Sequence, residues 1–203
     1  MKNKIAYFEG DLPSGAKFGG DVAVDCEFTG LSLSRDRLCL AQVEDGAGNI
    51  YVVRLAPPYD CPNIERLLAD SKICKIFHFA RADLGMIKKC LGVDVANVFC
   101  TKIASRLVRT YTDKHSLKAL VKEFFGVDLD KDEQTSDWSG KPSEKQIEYA
   151  ANDVAYLHEL KKILSEMLKR EKRVELAEAC FGFLNARVAL DLAGWDDEDI
   201  FAH

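Results

Sequence analysis

The sequence predicts an α/β sandwich: one mixed sheet, helices on both faces, and a helical closure in the C-terminal part. Three observations carry this. Val22-Ala23-Val24 is apolar at consecutive positions, as in a central strand buried on two sides. Leu38 to Val43 and Ile50 to Leu55 flank a turn-forming stretch with Gly46 and Gly48, as in an antiparallel hairpin. Beyond the hairpin, short apolar strands alternate with helix-periodic segments, and helical patterns alone close the chain.

In order, Lys4 to Phe8 reads as a short strand, and Glu9 to Gly20 as a loop rich in glycine with Pro13. The strand Asp21 to Phe28 follows, and then the hairpin, an antiparallel edge to the sheet. Pro57-Pro58 interrupts, and Pro62 suits the first turn of a helix running to about Asp70. Lys75 to Phe79 is a strand, Asp83 to Leu91 a helix closed by Gly92, and Val98 to Cys100 a short strand. Thr101 is placed to cap the next helix, which carries Ile103, Ala104, Leu107 and Val108. A further helix covers about Ser116 to Phe125 and stops at Gly126. Val127 to Lys141 is polar and irregular, long enough to be a functional loop. Ser143 and Gln146 form a capping box for a helix continuing to about Lys169. A last helix spans roughly Val174 to Leu190, ahead of the acidic stretch Asp196 to Asp199.

The totals bound the function. With 203 residues, 47% hydrophobic and 30% charged, the chain suits one domain with a sizeable core. A net charge of -5 argues against non-specific coating of nucleic acid, yet leaves room for an enzyme that grips a few phosphates through metal and local basic patches. No apolar run nears the roughly 20 residues that span a bilayer, so no membrane partner and a cytoplasmic location are expected. The seven cysteines are scattered without a Cys-x-x-Cys pair, which disfavours zinc and suits buried thiols in a reducing compartment.

The chemistry is expected at Asp25-Cys26-Glu27. In a strand, side chains alternate, so Asp25 and Glu27 share a face. Two acids in an apolar setting need a partner, and a hard divalent cation supplies one. Strands also end in solvated acids, so the pair alone leaves both readings open. Asp83 stands near a helix start after the strand ending at Phe79, where the macrodipole also favours an acid. Tyr149 and Asp153 are four apart on one helix face, separated by small alanines and flanked by apolar residues. Four converging carboxylates suffice for two ions about 3.5–4 Å apart, an arrangement suited to in-line displacement at phosphorus. The phenol of Tyr149 could orient a water.

Asp25-x-Glu27, Asp83 and Tyr149-x-x-x-Asp153 resemble the three motifs of the DEDDy 3′–5′ exonucleases, most closely ribonuclease D. Leu38 to Val43, His78 to Leu84 and Ser136-Asp137-Trp138 extend the similarity, which covers roughly residues 20–165. The resemblance implies a ribonuclease-H-like fold over a single domain, 1–203, with a motif-bearing core at about 20–165 and a helical part at about 170–203. It implies two Mg²⁺ or Mn²⁺ ions and removal of 3′-terminal nucleotides as 5′-monophosphates. Asp25, Glu27 and Asp153 would hold one ion, Asp25 and Asp83 the second, and Tyr149 the water. Leu31 lies where related nucleases wedge against the terminal base, and Thr29, His78 and Trp138 join it as candidate substrate contacts. The sister DEDDh group has a histidine where this chain has Glu148; His158 reads as an ordinary helix residue.

The implied partner is the single-stranded 3′ end of RNA, with transfer-RNA precursors suggested by the family. Phe28-Thr29-Gly30-Leu31 is similar to DNA-active relatives, so a 3′–5′ exodeoxyribonuclease is the alternative, and an inactive nucleic-acid-binding module a third reading. Lys102, Arg106, Arg109, Lys114, His115 and Lys118 form the densest basic segment that could line a strand's path, or simply a solvated helix face. Oligomeric state is open.

Overall fold

The computed structural model describes residues 3–129 and 136–202; part of the predicted loop from Val127 to Lys141 lies outside them. Six strands form one mixed sheet: β1 (Lys4–Glu9), β2 (Val22–Phe28), β3 (Leu38–Glu44), β4 (Asn49–Arg54), β5 (Lys75–Phe77) and β6 (Val98–Cys100), in the order β1-β4-β3-β2-β5-β6. The hairpin is as expected, with β3 antiparallel to both β2 and β4. β1 extends that edge in parallel to β4, while β5 and β6 continue in parallel on the other side of β2.

Strand alternation sorts the core onto two faces. Ala23, Leu40, Val52, Ile76 and Phe99 face one cluster, which is completed by α3 (Thr101–Val108), α4 (Leu117–Phe125), α5 (Glu144–Val154) and α6 (Leu157–Arg170). Val24, Cys26, Val43, Val53 and Phe77 face the other, covered by α1 (Pro62–Ala69) and α2 (Ala80–Leu91). The last helix, α7 (Val174–Leu192), gives Ala177 to the first cluster and Leu184 and Val188 to the second, so it wraps the β6 edge. This is the predicted closure.

Several boundaries differ from the sequence reading. The single helix expected from Ser143 to Lys169 is two, broken at Ala155-Tyr156, and the capping box at Ser143 and Gln146 opens the first of them. Helix α2 starts at Ala80, not Asp83. Its N-cap is Phe79, a non-glycine residue at φ 68° and ψ 45° with no side-chain cap. That left-handed geometry costs of order 1–2 kcal/mol and shortens β5 to end at Phe77. Thr101 does not cap α3. It is the first helical residue, and its hydroxyl donates to the Phe77 carbonyl at 3.1 Å, tying α3 to β5. All seven cysteines are free thiols, and five are buried as small core fillers.

Candidate active site

β2 delivers Asp25 and Glu27 on the face covered by α5, and α5 brings Asp153 down onto them. Oxygens of Asp25, Glu27 and Asp153 all lie within 4.8 Å of one another. The small buried residues Ala150 and Ala151 permit that approach. Asp83 comes from the first turn of α2, on the opposite face, and is buried. It stands outside the three-carboxylate group but close enough that its charge acts on Asp25 and Glu27.

The electrostatics are unfavourable for bare carboxylates. Burial pushes Asp25 well above the ordinary range, and the charges of Asp83, Asp153 and Glu27 push it further. Glu27 is raised to about 9, by burial first and then by Asp153 and Asp83. Burial also raises Asp83, against the backbone amides of Asp83 and Cys26 that favour its ionised form. An all-oxygen donor set under mutual repulsion fits a hard divalent cation, which would relieve the repulsion.

Tyr149 lies one turn before Asp153 on the same helix. Its ring meets that of Trp138 at 6.2 Å between centroids. Trp138 is only 5% exposed and belongs to the core, so what it touches is Tyr149's ring and not open solvent. His78 is half-buried and its Nδ1 pairs with the Thr101 hydroxyl at 2.9 Å.

The loop after β2 is built around Asp36. Its carboxylate accepts from the Ser32 amide at 2.9 Å and the Thr29 hydroxyl at 3.3 Å, while Thr29 accepts from the Arg37 amide at 3.0 Å. Lys89 donates to the Asp36 carbonyl, anchoring the loop to α2. The product is a rigid hairpin-like loop that holds Leu31 82% exposed. Leu31 and Phe79 line one cleft of about 560 Å³ beside the acids, and the Lys102 ammonium sits 3.7 Å from the Phe79 ring centroid.

The basic segment does not act as one surface. Arg109 is fully buried, paired with Glu123 and donating to Ser105 Oγ and the Lys114 carbonyl at 2.9 and 2.7 Å. His115 Nδ1 pairs with Ser105 Oγ at 2.8 Å. His158 joins α6 to β3 through Glu44, Nε2 to Oε2 2.9 Å. Sequence reasoning passed over Asp36, Phe79, Arg81 and Gln42. Gln42 is fully buried opposite Asp25 on β3, with no hydrogen-bond partner for its amide among the described residues. Its signal was a polar residue inside the apolar run Leu38 to Val43; Asp36 and Arg81 left none, because their partners are set by tertiary structure.

Comparison with known proteins gives a consistent frame. A family model described as a 3′–5′ exonuclease matches residues 11–169. The chain is 36% identical over 155 residues to ribonuclease D of Gluconacetobacter diazotrophicus, covering 76% of this chain but 39% of that protein. Two solved structures match along nearly their whole length. Brucella melitensis NrnC bound to pGG is 46% identical with a TM-score of 0.93, each chain covered at 100%. Brucella melitensis NrnC with bound Mg²⁺ is 45% identical with a TM-score of 0.92, over 98% of this chain and 99% of that one. The fold is the ribonuclease-H-like one expected, and exonucleases of this type use divalent metals. With the model matched across most of its length, the chain belongs to the 3′–5′ exonuclease family.

Proposed function

We propose that the protein is a metal-dependent exoribonuclease that removes 3′-terminal nucleotides as 5′-monophosphates. The observation that carries this is the convergence of Asp25, Glu27 and Asp153 within 4.8 Å on a buried floor. In this reading Asp25, Glu27 and Asp153 hold one Mg²⁺ or Mn²⁺, and Asp25 and Asp83 hold a second. Two such ions, when bound, lower the pKa of the attacking water and stabilise the leaving oxygen.

The chain's own groups do the rest. Tyr149 orients the water through its hydroxyl, and Trp138 fixes the phenol ring from behind. Leu31 wedges at the terminal base, held by the loop that Thr29 and Asp36 stiffen. His78, fixed by Thr101, faces the substrate strand.

The NrnC structure holds pGG, and we take a short RNA of that kind as the preferred substrate. Longer RNA 3′ ends, including transfer-RNA precursors, and single-stranded DNA are the competing substrates. Free thiols throughout support action in the cytoplasm, and no helix among the described residues is long and apolar enough to cross a membrane.

The test uses purified protein with Mg²⁺ or Mn²⁺ and RNA bearing a free 3′-hydroxyl, beside DNA of the same sequence. Stepwise shortening from the 3′ end, abolished by Asp25→Ala, is expected. Internal cuts, or an Asp25→Ala variant of full activity, contradict the proposal, and tight binding without turnover in either metal revives the binding-module reading.

A further inference from the structure

The cleft of about 560 Å³ is bounded on one side by the Leu31 loop and floored by Phe79 and Ala82. Its opposite wall is the segment following α7, with Gly194, Asp196 and Asp197 on the cleft. That segment has no regular structure of its own, yet it is pinned. Asp191, its side chain only 3% exposed, accepts from Arg81 at 2.7 and 2.8 Å and from Arg187 at 2.8 and 2.6 Å. The same two guanidiniums reach past it to backbone carbonyls of the segment. Arg81 donates to Asp196 at 2.7 Å, and Arg187 to Glu198 at 2.9 Å and to Trp195. Arg81 lies in the first turn of α2, two residues before Asp83.

A carboxylate shared by two bidentate arginines is costly to desolvate and geometrically exacting. Here it fixes the wall relative to the helix that carries one of the four acids. A cleft of this volume matches sites that close around a small ligand. Grooves that track a strand are open-ended and basic, whereas this wall is acidic.

The geometry points to residues 194–197 as a length gate, held in place by the Arg81–Asp191–Arg187 clamp. The wall ends the cleft so that a short oligonucleotide fits. Asp196 and Asp197 repel the phosphates of a longer one. This rests on the exonuclease reading of the acids. Arg81, Arg187 and Asp191 act as positioning residues, through the wall.

The experiment measures kcat/KM with Mg²⁺ for a dinucleotide and a heptanucleotide RNA of the same composition. Wild type is compared with the double variant Asp196→Asn/Asp197→Asn and with Arg187→Gln. The heptanucleotide-to-dinucleotide ratio is the readout, because a loss of folded protein scales both substrates together and cancels. Wild type should prefer the dinucleotide, and both variants should raise the ratio about tenfold. Equal use of the two lengths by wild type, or an unmoved ratio in both variants, overturns the gate and leaves the exonuclease reading intact. A wild type that cleaves neither length overturns both.

Discussion

A β-carbon on Gly30 would fall 2.5 Å from Asp36 Oδ2. The carboxylate cannot swing aside without releasing the Ser32 amide and the Thr29 hydroxyl, so the contact fixes Gly30 as the residue that lets the Leu31 loop close. Gly30→Ala should therefore displace Asp36 and misplace Leu31. We expect kcat/KM to fall about tenfold with the circular dichroism spectrum unchanged. Wild-type kinetics in this variant would remove the loop from substrate positioning.

Tyr149→Phe keeps the ring against Trp138 and deletes only the hydroxyl. The expected effect is a fall in kcat of about 10²-fold, with KM little changed. Steady-state kinetics on a single RNA substrate check it. An equal fall for Tyr149→Phe and for a Trp138→Phe variant would mean that packing, and not the hydroxyl, matters.

The raised carboxyl of Glu27 makes a prediction about metal-free protein. Its folded-state pKa of about 9 lies above the ordinary 4.5, so folding favours the protonated form. Stability from this group is whole below 4.5 and drains as pH climbs through that window to about 9. A bound divalent cation competes with the proton and reverses the loss. Saturating Mg²⁺ should raise Tm by about 5 °C at the alkaline end of the window and by much less at the acid end. Scanning calorimetry with and without chelator reads this directly, and a Mg²⁺ effect that is flat with pH would contradict it.

Arg109 supplies a stability prediction. Arg109→Met removes the fully buried guanidinium and leaves Ser105 Oγ and the Lys114 carbonyl without their donor. Glu123 is partly exposed and resolvates, which limits the cost to about 2–3 kcal/mol. Urea unfolding should register that loss while RNA affinity in the folded variant stays within a factor of about two. A variant of full stability and weakened RNA binding would return Arg109 to the substrate path.

Much of this site was legible in the sequence because its signals are local. An apolar strand that ends in Asp-x-Glu and a helix carrying Tyr149 and Asp153 one turn apart are short-range patterns. Strand and helix periods alone then dictate which side chains share a face. What escaped depends on contacts distant in sequence. The break at Ala155-Tyr156 lies inside a continuous helical pattern. The early start of α2 requires Phe79 in a left-handed conformation that no propensity favours. Arg109 looked like part of a basic surface because composition cannot report that a guanidinium is buried. The Arg81–Asp191 pair joins α2 to α7, and neither residue carries a mark of the other.

The account depends on Asp25, Glu27 and Asp153 acting together on a cation. The most direct measurement is anomalous diffraction at the manganese edge from crystals soaked in Mn²⁺, for wild type and for Glu27→Gln. We predict a peak among the three carboxylates, with a further one between Asp25 and Asp83, and loss or weakening of the first in the variant. Wild-type crystals with no peak at these acids, or an unchanged peak in Glu27→Gln, would contradict it.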